Sequence, residues 1–244
     1  MSAAAGKTCL VTGGAGGLGK AIAKAFLAAG AQVIVCDINQ ERVSQATTEL
    51  APTGRFRAVT ADVTDPEAMR RLFGDFARLD ILVNNAAIMD RFEPVADLDL
   101  DLWERVLAVN LTAPLLLSKL AVRDMLSRPE PDGCIINVAS AAAKAGWLAG
   151  LTKSTASFYG DKGIRCNALM LGPMADTNIA DAFLTDSHSQ GRQRVTDILT
   201  GTRPRFCHVG DVAELCVSLA CGQGWNLVNG GVVAVDHGWL SLVG

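Results

Sequence analysis

The hydrophobic run CIINVAS, residues 134–140, ends on a serine. A hydroxyl delivered to the end of a strand looks placed for chemistry, and such chemistry needs a partner that can exchange a proton. The chain has one tyrosine, Tyr159, in the stretch FYGDKG, with Gly160 next and Lys162 three residues on. That spacing reads as a helix end and turn, and it speaks against Tyr159 as the acid. Two lysines follow Ser140 more closely, Lys144 four residues on and Lys153 thirteen on. A lysine sealed in an apolar pocket has its pKa drawn down to a useful value, while one in a small-residue loop or on a wet helix face does not; both readings stand. Trp147 is expected either as a core anchor or as a cover over this region.

A second group of residues suits a phosphate-bearing ligand. TGGAGGLG, residues 12–19, follows a strand pattern and opens a helix pattern. Glycines let the backbone turn tightly and approach a pyrophosphate, whose charge meets the free N–H groups of the helix start. Asp37 falls at the end of the next strand, 18 residues after Gly19, where a carboxylate accepts ribose hydroxyls and repels a 2′-phosphate. No Arg or Lys stands among residues 13–19 or directly after Asp37, which favours NAD over NADP.

These residues need a scaffold, and the chain supplies one. Short β-branched runs at 8–12, 31–37, 56–63, 81–87, 134–140, 165–171 and 232–236 alternate with helical patterns. The expected fold is α/β, a doubly wound parallel sheet of about seven strands with helices on both faces. Residues 17–29 read as an amphipathic helix stopped by Gly30, and Thr64 with Glu67 and Pro66 as a capping box. One long helix or a broken pair is expected between about Leu98 and Leu126. Residues 172–205 lose the pattern and read as a mobile flap over the site, within a single domain covering 1–244.

With 244 residues, half of them hydrophobic and 19% charged, the chain can bury one large core. A formal charge of −3 with no block of like charge argues against nucleic acid as a partner. Seven scattered cysteines without a CxxC pair, and three separated histidines, argue for reduced core thiols and against a metal site. No secretory leader pattern and no apolar run near the roughly 20 residues that span a bilayer are apparent, so a cytoplasmic protein is expected.

The chain resembles the short-chain dehydrogenases/reductases over nearly its whole length. TGGAGGLG matches the family loop TGxxxGxG at Gly13, Gly17 and Gly19, with Leu18 between the last two. ADV places Asp62 and Val63 where the family contacts adenine, and NNAA, with Asn84 and Ala86, matches its NNAG. Asn110 in LAVNLTAP matches the family's active-site asparagine, Ser140 its catalytic serine, and GIRCNALMLGP its stretch near the cofactor, ending on Pro173. The resemblance implies a Rossmann fold, NAD as cofactor, hydride transfer between nicotinamide and a secondary alcohol or ketone, and a homo-oligomer, tetramer or dimer. It also implies a YxxxK element, which this chain lacks: counting back from Tyr159, the family tyrosine would fall near Ala141, so about a dozen residues are missing relative to the pattern. Either another group supplies the proton, or the tyrosine and lysine belong to a segment that this sequence does not carry, or the chain binds NAD without redox chemistry. Met89, Trp147 and Met174 are expected to line a largely apolar substrate pocket.

Overall fold

The computed structural model describes residues 2–140, 147–239 and 241. Seven strands lie in the order β3-β2-β1-β4-β5-β6-β7. They are β1 (Thr8–Thr12), β2 (Gln32–Asp37), β3 (Phe56–Thr60), β4 (Ile81–Asn84), β5 (Gly133–Ser140), β6 (Ile164–Leu171) and β7 (Val232–Val235), and every neighbouring pair is parallel. The expected strands are all present, within a residue or so except where the runs at 56–63 and 81–87 overreach β3 and β4 by three residues.

Alternation along each strand explains why the runs are apolar throughout. Cys9, Val11, Val33, Val35, Ile81, Val83, Ile136 and Leu169 face one side, where helices α1 (Gly17–Ala28) and α9 (Val209–Cys221) cover them. Leu10, Cys36, Leu82, Ile135 and Cys166 face the other, under α3 (Pro66–Gly74), α5 (Ala113–Leu126) and α6 (Trp147–Tyr159). Both faces are dry, as a parallel sheet requires. Six of the seven free cysteines are buried in this packing. Burial pushes the Cys36, Cys166 and Cys216 thiols up to about 12 and Cys134 to about 11, so they serve as small core residues at neutral pH.

Several local details differ from the sequence reading. The N-cap of α3 is Asp65, whose carboxylate accepts from Glu67 N and Ala68 N, while Thr64 turns back to Asp62. Asp65 wins because it stands one residue before Pro66 at the helix start. Helix α4 (Leu100–Leu107) continues through a π turn, Ala108–Thr112, into α5. Pro114 has no N–H to give the Asn110 carbonyl, so the α-helical bond cannot form there and the helix widens. The joined helix Leu100–Leu126 is long and apolar enough, by length and composition, to cross a membrane, which the sequence reading did not find. Its Ala113, Leu117, Ala121 and Met125 are buried against the sheet. Residues 172–205 are largely helical, as α7 (Asn178–Asp186) and α8 (Ser189–Thr202). The remaining helix, α2 (Gln40–Leu50), is capped by Asn39. Gly30, at φ 94°, ends α1 as expected, its N–H and that of Ala31 bonding back to Leu27 O and Phe26 O.

At the N-terminal edge of the sheet a buried carboxylate ties the strands together. Asp80, 1% exposed, accepts from Thr8 N (2.9 Å), Arg78 Nε (2.6 Å) and Arg128 Nη1 (3.0 Å). Replacing it leaves Thr8 N without its acceptor and takes one of two carboxylates from the largely buried Arg128 guanidinium, so Asp80→Ala is expected to lose about 3 kcal/mol in denaturant unfolding. Arg57→Ala, which breaks an exposed pair with Asp75, is expected to change stability by less than about 0.5 kcal/mol. Equal effects would contradict this account of the Asp80 cluster.

Candidate functional site

The C-terminal edge of the sheet gathers the residues singled out above. β1 lies between β2 and β4, so the chain winds outward in both directions from a crevice above Thr12. Such a reversal of strand order is where open α/β sheets take ligands. The turn of residues 13–16 fills one wall. Gly13 has φ 60°, and a Cβ on Gly19 would lie 2.1 Å from Gly13 O, so both positions demand glycine. Gly17, at φ 47°, opens α1, and Leu18 anchors the helix in the core at 8% exposure. No side chain caps the start of α1, which leaves its N–H groups and dipole facing the crevice.

Asp37 closes the far side of this turn. It is 9% exposed, and its two oxygens accept from Ala15 N (3.2 Å) and Asn39 N (3.0 Å). Each oxygen retains acceptor capacity, and the carboxylate is held at the crevice rim by backbone rather than by a cation. Asp62 accepts from the Thr64 N–H and hydroxyl through one oxygen, both at 2.8 Å, and Val63 is buried beside it.

Two residues not singled out in the sequence hold the crevice in shape. Asn85 N and Ala86 N donate to Thr12 Oγ1 at 3.0 and 2.9 Å. The Asn85 amide donates in turn to Thr12 O (2.9 Å) and Gly13 O (3.3 Å). The glycine turn and the end of β4 are thereby one unit; the signal was present in the Thr before the glycines and in the second Asn of NNAA. Asn84 does something different. Its side chain is buried, donating to Asn137 Oδ1 (2.8 Å) and Ser118 Oγ (3.3 Å), and Asn137 donates to Thr152 Oγ1 on α6 (2.9 Å). The side chain belongs to the sheet interior and joins β4, β5, α5 and α6. Ala86 lies against the glycine turn, 3.0 Å from where a Gly13 Cβ would stand.

Asn110 sits in the π turn. Its amide donates to Ile88 O (2.8 Å) and its oxygen accepts from Ile88 N (2.9 Å), clamping the segment that leaves β4. Ser140 ends β5 in register with Leu171, the last residue of β6. Pro173 follows, its carbonyl bonded by Cys207 N at 2.8 Å. Ser140, Asn110 and Pro173 thus share the sheet edge that carries the glycine turn. Lys144, with Ala141, lies outside the described residues. Lys153 is exposed on α6. Tyr159 ends α6, beside the start of β6, with Lys162 Nζ 5.4 Å from its ring centre. The rise along α6 puts Tyr159 about 18 Å from its first turn, at the edge opposite Ser140, which excludes it from the site. Trp147 is 76% exposed, so it is no core anchor. Among the described residues no cluster of His, Cys, Asp or Glu could hold a metal.

Thr12→Val removes the acceptor of two backbone N–H groups at once. It is expected to lose about 2 kcal/mol of stability, with Thr12→Ser restoring most of it, as read by denaturant unfolding. A valine variant as stable as the parent would contradict this role.

The comparisons with known proteins agree with this geometry. The family model described as short chain dehydrogenase matches residues 7–187. A Gibberella zeae protein named short chain dehydrogenase/reductase dpfgG is 61% identical over 258 residues, covering 98% of this chain and 96% of its own. That span exceeds this chain's 244 residues by 14, so the relative carries residues with no counterpart here. A 3beta-hydroxysteroid dehydrogenase of Eggerthella lenta is 36% identical over 96% of this chain and 95% of its own. A solved Agrobacterium tumefaciens structure with bound NADP is 31% identical, covers 98% of this chain and 99% of its own, and superposes with a TM-score of 0.81. On the sheet, the crevice and these matches together, the chain belongs to the short chain dehydrogenase/reductase family of oxidoreductases.

Proposed function

We propose that the protein transfers hydride between NAD(H) and a secondary alcohol or ketone. The observation that carries this reading is the convergence of the glycine turn, Asp37, Asn110 and Ser140 on one edge of one sheet. The residues fit a dinucleotide: the uncapped start of α1 and the Cβ-free surface at Gly13 and Gly19 suit a pyrophosphate, Ala86 lies against that turn, and Asp62 and Val63 follow the C-terminal end of β3. Asp37 supports NAD. A 2′-phosphate beside a carboxylate meets repulsion, and neither the glycine turn nor residues 38–40 offers a cation to offset it. The Agrobacterium structure was solved with NADP, so the case for NAD rests on these residues of this chain.

When bound, the nicotinamide supplies or accepts the hydride. The Ser140 hydroxyl holds the substrate oxygen, and Asn110 fixes the Ile88 segment beside it. The proton comes from a group other than tyrosine, since Tyr159 stands at the opposite edge. Lys144, four residues beyond Ser140 along the chain, is the candidate donor, with Lys153 as the alternative. Without a phenol positioned for the task, turnover is expected to be slow, by about 10² to 10⁴ against a site that has one. In this reading the chain is a single domain in which residues 172–205 cover the site, working in a reducing cytoplasm as a dimer or tetramer; the free, buried thiols support that compartment.

The test is NADH oxidation with a panel of cyclic and acyclic ketones, with the alcohol product identified. Ser140→Ala is expected to lower kcat/KM by about 10² or more while leaving NADH binding within about twofold, and Lys144→Ala to lower kcat more than Lys153→Ala does. NADH binding without any product across the panel would contradict the oxidoreductase reading and leave a nucleotide-binding role.

A further inference from the structure

Residues 88–99 leave β4, and α7 with α8 leave β6, on either side of Ser140. The two segments meet in one place. His188 N, at the start of α8, donates to Arg91 O at 2.8 Å. The Phe92 and Phe183 rings stand edge to face, with centres 5.8 Å apart and planes at 84°. Arg91 Nε lies 3.3 Å from Asp186 Oδ1, and Arg91 Nη1 4.0 Å from Asp99 Oδ2. Phe92 takes a left-handed backbone, φ 54°, which a bulky residue adopts only when its surroundings enforce it. The enforcing contact is close: a Cβ on Gly191 of α8 would lie 2.1 Å from Phe92 O. Three residues before Arg91, Ile88 is clamped by Asn110.

We propose that Arg91 and Phe92 form a latch that holds the α7–α8 segment closed over the substrate side of the site. They are positioning residues: they act on substrate through the cover rather than by touching the reacting atoms. The joint suits a cover that opens in each cycle. Its ion pairs are half exposed, with side-chain exposures of 41% for Arg91 and 66% for Asp186, and such pairs are weak. Arg91 Nε has no aligned hydrogen bond, so the charge contact holds without locking. One aromatic pair and one backbone bond supply the rest. The strain at Phe92 is released when α8 withdraws, which lowers the barrier to opening. The far end of α8 is tethered separately, by Trp239 Nε1 to Thr202 Oγ1 at 2.9 Å, so loss of the latch frees one end only. The latch bears on turnover only through the oxidoreductase reading above, so its test needs a readout that does not depend on turnover.

Limited trypsin digestion of the full chain provides it, scored by mass at Arg194 within α8, with Arg205 beyond the Thr202 tether as the internal reference, since both are exposed. Arg91→Asp and Phe183→Ala are each expected to speed cleavage at Arg194 by about fivefold relative to Arg205, with circular dichroism and melting temperature unchanged. The charge-swapped pair, Arg91→Asp with Asp186→Arg, is expected to return to within about twofold of the parent. In kinetics, KM for the ketone is expected to rise about fivefold in the single variants while KM for NADH stays constant. Unchanged cleavage in both single variants, or a rise in Arg91→Asp that the swap fails to reverse, overturns the latch. The expected cleavage pattern in a parent protein with no turnover sustains the latch and refutes the oxidoreductase reading instead.

Discussion

The hydroxyl of Thr12 stands where β1 and β4 both end, and the N–H groups of Asn85 and Ala86 converge on it. A parallel sheet leaves unpaired backbone groups at its C-terminal edge, and water would normally take them. Here a side chain takes two of them, and the Asn85 amide returns two bonds to Thr12 O and Gly13 O. The glycine turn is consequently fastened to the β4 end before any ligand arrives. Gly19 fits beneath it only because it lacks a Cβ, and Ala15 carries the constraint on to Asp37. A rigid crevice with its donors already aimed binds a charged ligand without ordering a loop at the moment of binding.

A second layer of polar bonds works inside the sheet. Asn84, Asn137, Ser118 and Thr152 connect two central strands to the helices over them. Such a network is tolerable in a dry core only when its members are satisfied, and Asn84 Oδ1 is the one buried atom of the group without a protein partner. Asn137 lies three residues before Ser140, so the bond to Thr152 fixes the strand end from which the serine projects and the helix that follows it. At the opposite edge Asp80 ties Thr8 and Arg128 together. Tyr159 is at that edge, away from Ser140.

Much of this was legible in the residues. All seven strands follow from apolar runs because a parallel sheet buries both faces and permits no polar alternation. Gly30 and the Asp37 position follow from turn and strand-end chemistry. Other features were less visible. Thr64 and Asp65 both suit a cap, and only the placement of Pro66 at the first turn decides for Asp65. The π turn at Asn110 depends on one missing N–H four residues later. The side chain of Asn84 turns inward because Asn137 and Ser118 come from distant parts of the chain, a pairing that spacing does not reveal. Residues 172–205 are short of apolar periodicity, yet α7 and α8 form against the Arg91–Phe92 segment, a tertiary contact that outweighs weak local preference.

The proposal that the cofactor is NAD rests on Asp37, held at the crevice rim by Ala15 and Asn39. The most direct measurement is calorimetric titration of the protein with NADH and with NADPH under the same salt. The account predicts NADH tighter by about tenfold or more, a difference of about 1.4 kcal/mol, at a stoichiometry of one per chain. NADPH binding as tightly as NADH, or more tightly, would contradict it.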